Sequence, residues 1–143
     1  MPSRNQIGLN SQLRKLVSSG SPYEPQIGFS RAVRVGPFVA VSGTAPIGPD
    51  GSVAAPGDLY GQTKRCLEII AQAIAEAGLT LEDVIRTRVM LTDISRWKEA
   101  ARAHGEFFSA VRPASTFVEV KGLIDRGWLV EIEADCIARD AGR

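Results

Sequence analysis

Three carboxylates stand at alternate positions near the C-terminal end, Glu131, Glu133 and Asp135, and two guanidiniums, Arg86 and Arg88, show the same spacing in another β-rich run. Residues two apart on a strand share a face, so both sets read as charged stripes on a sheet. A carboxylate drawn out of water into a cleft has its pKa raised and becomes a usable general base. The same carboxylate opposite an arginine is a structural ion pair. Glu131 is open to both readings. So is Arg88, which either clamps an anionic ligand or pairs with Glu131 or Glu133. Arg31 and Arg112 read as solvated. His104, the one histidine, falls on the apolar face of a helical segment, where a packed residue is the ordinary case. It is also the side chain that titrates near neutrality. Cys66 lies mid-helix and Cys136 on the apolar side of a strand, the settings of inert small hydrophobes. One His and two isolated Cys make no metal-ligand spacing and no disulfide framework, so neither a metal nor a cofactor is expected.

The elements that must position these groups follow from periodicity. Strands are expected at Leu13–Ser18, Ser30–Val35, Phe38–Ser42, Val84–Leu91, Thr116–Val120 and Leu129–Ile137. Asp58 reads as a helix N-cap, and Leu59, Thr63, Leu67, Ile70, Ile74 and Ala77 form one apolar stripe up to a terminating Gly78. Asp93 or Ser95 caps a second helix whose inner face would be Ile94, Trp97, Ala101, His104, Phe108 and Val111. Pro113 stops it. Trp97 is expected in the core, and Trp128 at a strand edge has no assigned role. The stretch from Pro46 to Gly57 holds three Pro and three Gly and reads as a loop. This order predicts an α+β fold: a two-layer sandwich with a mixed six-stranded sheet and two helices on one face. Residues 1–12 are expected to be a flexible arm and 13–139 a single domain.

Alternation also predicts what the other sheet face carries. Ile85, Thr87, Val89 and Leu91 are assigned to the apolar side, with Arg86, Arg88 and Met90 opposite. Phe117 and Ser115 are assigned to the charged outer face. Aromatic and Met side chains among charges are an interface composition, which points to packing on further copies of the chain. A wet face with weak cross-strand pairs is the plainer reading.

Across 143 residues there are 17 Lys+Arg, 16 Asp+Glu and a formal net charge of +1. Phosphate binding needs a basic surplus, so no nucleic-acid partner is expected. The 44% hydrophobic and 23% charged content is that of an ordinary globule. No apolar run approaches the ~18 residues of a membrane span, and the first residues carry no signal-peptide core. A cytoplasmic location, with no membrane partner, is the expectation.

The strand ending Val41-Ser42-Gly43, the helix QTKRCLEIIAQAIAEAGLTLEDV, and the segments RVMLTDISRW, GEFFSAVRPASTFVEVKGL and VEIEA resemble the reactive intermediate deaminase family, the RidA-like (YjgF-type) proteins. The likeness covers roughly residues 22 to 138. It implies a homotrimer of chorismate-mutase-like subunits with clefts at their boundaries. It also implies hydrolysis of small enamines or imines to a carbonyl compound and ammonia. By resemblance Glu131 is the catalytic residue that positions water, while Phe29, Ser42, Gly43, Ser115 and Phe117 face the substrate, with Arg88 a candidate beside them. Backbone N–H groups near Ser42-Gly43 would polarise the substrate, and Phe29 and Phe117 would form an apolar wall. The chain departs from the family pattern in three places. Ser115 stands where relatives hold a carboxylate-clamping Arg, Phe29 where they hold Tyr, and Ala101 where they hold Asn. A hydroxyl cannot neutralise a carboxylate, so weak action on 2-iminopropanoate is expected. The alternatives are a non-catalytic metabolite-binding trimer and a ribonuclease. The near-zero net charge and the lack of a His pair argue against the last.

Overall fold

A computed structural model describes residues 14–139. The arm expected over 1–12, and Leu13, lie outside the described residues. The order is β1 (Arg14–Val17), α1 (Tyr23–Ile27), β2 (Ala32–Val35), β3 (Phe38–Thr44), α2 (Leu59–Glu76), β4 (Val84–Leu91), α3 (Trp97–Phe108), β5 (Ala114–Glu119) and β6 (Val130–Ile137). The strands form one mixed sheet in the order β1-β2-β3-β6-β4-β5. β4 and β5 run parallel, joined by α3 as a crossover, and the other neighbours are antiparallel. This is the α+β sandwich the sequence predicts, with α1 as an added short helix. The turn expected at Pro22 runs straight into that helix, which closes on Gly28 at φ 93°, a left-handed position that glycine takes without strain.

α2 is the anchor of the core. Asp58 accepts a hydrogen bond from the Gly61 N–H at 3.0 Å and so caps the helix. Every residue of the apolar stripe, Leu59, Thr63, Leu67, Ile70, Ile74 and Ala77, is buried. Gly78 at φ 89° turns the chain away, as expected of a glycine just past a helix end. β6 supplies the facing surface: Val130, Ile132, Ala134 and Cys136 are buried, and Glu131, Glu133 and Asp135 alternate with them on the other face.

Three expectations about facing are corrected. In β4 the register slips between Val84 and Arg86 against β6, so Val84 is buried and Ile85, expected in the core, is 48% exposed. A bulge reverses alternation locally. In β5 the parallel register pairs Ser115 with Thr87 and Phe117 with Val89. Ser115 and Phe117 therefore lie on the helix side, while Thr116 and Val118 share the outer face with Arg88 and Met90. A single strand's alternation does not say which side is in, and here the sides were inverted. In α3 the buried residues are Ala100, Ala103 and Phe108. Trp97 is 46% exposed and Ile94 37% exposed. α3 packs against α2, and close helix approach favours alanine over the large side chains that dominate a periodicity reading. Asp93 caps the short 3₁₀ turn at 94–96 through the Ser95 N–H, so α3 begins later than its capping signal suggests.

Replacing Asp58 with Ala should lower stability by about 1 kcal/mol, the usual contribution of a side-chain N-cap. Urea denaturation followed by circular dichroism measures it, with the fold otherwise unchanged.

Candidate functional site

The site starts from an irregularity in β3. Val41 pairs with Ala134 but Thr44 pairs with Ile132, so β3 carries one extra residue around Ser42 and Gly43. The distortion is tied down from below by Arg31. Its Nη1 donates to the Gly43 carbonyl at 2.9 Å and to the Thr44 hydroxyl oxygen at 3.0 Å. The Thr44 hydroxyl in turn donates to the Ser42 carbonyl at 2.8 Å. The Ser42 hydroxyl donates to the Ser30 carbonyl at 2.6 Å, and the Ser42 N–H to the Arg31 carbonyl at 3.0 Å. That N–H is therefore committed and not available to polarise a ligand.

Glu131 comes to rest against this bulge. A Cβ at Gly43 would lie 2.9 Å from Glu131 Oε1, so a side chain at position 43 would displace the Glu131 carboxylate from its place against the bulge. Glu131 is half-buried. Burial pushes its pKa above the ordinary value of 4.5, Arg31 opposes that shift, and Glu133 adds to it. Arg31 is only 8% exposed, which overturns its reading as a solvated residue. Its guanidinium sits 5.6 Å from the Phe29 ring centroid, and its Nε is buried without a hydrogen-bond partner. Burial depresses its pKa, while Glu24 and Glu131 oppose that. Glu24 is 5% exposed. Burial alone would raise its pKa, but hydrogen bonds led by those from Ser19 and Ser18 outweigh that and lower it. Phe29, Arg31, Gly43, Trp128 and Glu131 all line a cleft of about 990 Å³ between the bulge, the β1 exit and α2. Ser42 lines a neighbouring, shallower depression with Phe29 and Val33.

The structure thus gathers Phe29, Gly43 and Glu131, with Ser42 adjoining. It does not gather the others. Arg88 sits on the outer face, 3.2 Å from both Glu133 and Asp135, and these partly exposed pairs contribute little to stability. Ser115 and Phe117 lie two strands from Glu131 and on the opposite sheet face. There Thr87 Oγ1 stands 2.8 Å from both His104 Nε2 and Ser115 Oγ. Phe117 packs edge-on to the His104 ring at 5.6 Å. The buried thiols are poor nucleophiles: burial pushes Cys66 far up and Cys136 to about 12. Among the described residues no group of three or more His, Cys, Asp or Glu could hold a metal ion. No helix among them is long and apolar enough to cross a membrane.

Sequence reasoning missed the structural roles of Arg31, Thr87 and Trp128. Thr87 carried a signal, being the one polar residue on an apolar strand face. Arg31 carried none, because its burial follows from the β3 bulge.

The family described as Endoribonuclease L-PSP matches residues 19–138. The chain belongs to the YjgF/RidA family. A RutC family protein of Pyrococcus abyssi is 37% identical over 106 residues, covering 74% of this chain and 83% of that protein. The crystal structure of Rv2704 from Mycobacterium tuberculosis, described as a member of the YjgF/YER057c/UK114 family, superimposes with a TM-score of 0.80 at 47% identity. It covers 87% of this chain and 99% of the other. E. coli TdcF, solved with bound serine, matches with a TM-score of 0.73 at 26% identity, covering 87% and 94%. The YjgF/RidA assignment bears out the resemblance read from the sequence and the α+β fold it implies.

Arg31→Met should be destabilising, by about 1–3 kcal/mol, because it leaves the Gly43 carbonyl and the Thr44 hydroxyl without their donor. Chemical denaturation of the variant measures the loss, and a cost near zero would show that the guanidinium does not hold the bulge.

Proposed function

We propose that this YjgF/RidA-family chain is a homotrimeric hydrolase of small enamines or imines, with Glu131 as its general base. The observation that carries the reading is the Glu131 carboxylate, held half-buried against Gly43 in a cleft with Phe29 and Arg31. A base with a raised pKa is better matched to proton transfer near neutral pH than an ordinary carboxylate. Water adds to the carbon of the N-protonated imine as Glu131 takes one of its protons, giving a neutral carbinolamine. Glu131 returns that proton to nitrogen, and the C–N bond breaks as the hydroxyl proton passes to Glu131, leaving a carbonyl compound and ammonia. Arg31 Nη1 is engaged by the Gly43 carbonyl and Thr44, and two carboxylates act on the guanidinium. Its charge is therefore partly offset before any anion arrives. Together with Ser115, this favours imines without a short carboxylate over 2-iminopropanoate.

The trimer is supported by two features. Leu16, Val35, Phe38, Ile85 and Val118 are all exposed, and strand registers put Leu16, Val35, Phe38 and Val118 on the outer sheet face. A free monomer gains nothing from such a surface, whereas an interface buries it. Moreover, Ser115 and Glu131 meet only if a second copy presents its Ser115 edge to the Glu131 cleft. A second reading, ligand binding without turnover, draws on the serine bound by TdcF.

An ammonia-release assay over a panel of imines, beside a thermal-shift screen of the same compounds, separates the two readings. Turnover is expected on uncharged imines, with 2-iminopropanoate weak. Glu131→Gln should remove turnover while retaining the fold. Because the base acts when ionised, kcat/KM should fall as pH drops through the raised Glu131 pKa, so the acid limb lies above 4.5. Binding with no turnover by the unmutated protein would establish the second reading instead. Light scattering at micromolar concentration should give three times the 15.4 kDa chain mass, and a monomer mass would reject the trimer.

A further inference from the structure

A polar thread crosses the helix side of the sheet, away from the Glu131 cleft. It runs from the His104 imidazole on α3, through the fully buried Thr87 on β4, to Ser115 on the exposed edge strand β5. Both steps are 2.8 Å. Thr87 is out of place by packing alone, since the same strand face otherwise carries buried Val84, Val89 and Leu91. A buried hydroxyl must find partners, and these two complete a chain of three groups that each both give and accept hydrogen bonds. The rings of Phe108 at 4.8 Å and Phe117 at 5.6 Å flank the imidazole. Its surroundings are electrically quiet, because burial is the sole cause of its lowered pKa. The charged residues of the neighbouring elements are turned elsewhere. Arg102 lies over the Tyr60 ring and Glu106 accepts from the Tyr60 hydroxyl. Glu119 accepts from the Ile94 N–H. Arg86 and Arg88 lie on the other face of β4, and Arg112 is exposed past the end of α3.

We propose that Ser115 is a proton-transfer residue for a ligand nitrogen or oxygen at the β5 edge, coupled to His104 through Thr87. With His104 neutral, Nε2 unprotonated and the Thr87 hydroxyl turned from Ser115 Oγ, to which it donates in the structure, toward Nε2, Ser115 Oγ takes a proton from the ligand as its own proton passes to Thr87 Oγ1. The Thr87 proton passes to Nε2, and His104 becomes the imidazolium. The reverse sequence delivers one proton from the imidazolium to the ligand. Only O–H and N–H bonds form and break, and no co-reactant is needed. In the hydrolysis proposed above, which this inference builds on, the thread supplies the second acid–base group, complementing Glu131.

The single histidine makes the test direct, because ¹⁵N-labelled protein gives the ring signals of His104 alone. Ser115→Ala is expected to change the His104 tautomer balance and titration midpoint, although Ser115 does not touch His104. Thr87→Val is expected to lower the midpoint, because the imidazolium loses its acceptor, and Thr87→Ser to restore the unmutated behaviour. If Thr87→Val does not fold, the Ser115→Ala and Thr87→Ser comparisons still decide. His104 signals indifferent to Ser115→Ala overturn the proposal, whatever the protein hydrolyses. In the imine assay, Ser115→Ala should lower kcat about 10²-fold with KM little changed, and Thr87→Ser should keep it. Undiminished kcat in Ser115→Ala overturns the catalytic role. Coupled His104 signals in a protein that hydrolyses no imine support the thread and reject the imine reading instead.

Discussion

The grip of Arg31 on the β3 bulge is the contact from which the Glu131 site follows. An extra residue in an antiparallel strand leaves backbone groups out of the ladder, and the Gly43 carbonyl is satisfied by a guanidinium instead of by β6. A charge 8% exposed is costly unless compensated. Glu24 and Glu131 offset part of that cost electrostatically, and Phe29 lies against the guanidinium. The cluster is therefore mutually dependent: the bulge buries the arginine, the arginine holds the bulge, and the glutamates offset part of its charge. Glu131, the proposed general base, is one of those glutamates. Its raised pKa is the residue of a contest between burial and Arg31, which burial wins.

The sheet divides the candidate groups between its faces. On the outer face, Arg88 bridges Glu133 and Asp135 in the partly wet pattern common to antiparallel sheets. On the inner face of β4 the polar intrusion is Thr87, satisfied by His104 and Ser115. Glu131 belongs to the outer set by alternation. It differs from Glu133 and Asp135 in lying against the β3 bulge in the cleft, where burial raises its pKa, while they pair with Arg88. Three carboxylates at identical spacing thus end in two environments, and the difference comes from the neighbouring strand.

The same division keeps Ser115 and Glu131 apart within one chain. Ser115 is on the edge strand, and β6, which carries Glu131, lies between β3 and β4. No side-chain rotation spans two strands and a change of face. An exposed edge beside an apolar outer surface is a liability for a lone chain, and assembly into a trimer would remove it.

Much of this was legible in the sequence. The α2 stripe, the Asp58 cap, the Gly78 stop and the alternation of β6 were all correct, because each is set by local periodicity and by the hydrogen-bond needs of a helix end. The family motifs grouped Glu131 with Phe29, Ser42, Gly43, Ser115 and Phe117, with Arg88 a candidate beside them, and one chain brings only Phe29, Ser42 and Gly43 to it. What the sequence left undetermined was sidedness. Ile85 turned outward through a bulge, Ser115 and Phe117 turned inward through the parallel register with β4, and Trp97 left the core to alanines. Each of these depends on how one strand or helix registers against another, and alternation within a segment is blind to that. The burial of Arg31 was hidden for the same reason: its partners are a carbonyl and a hydroxyl 12 and 13 residues away, brought within reach by the β2–β3 hairpin and its bulge.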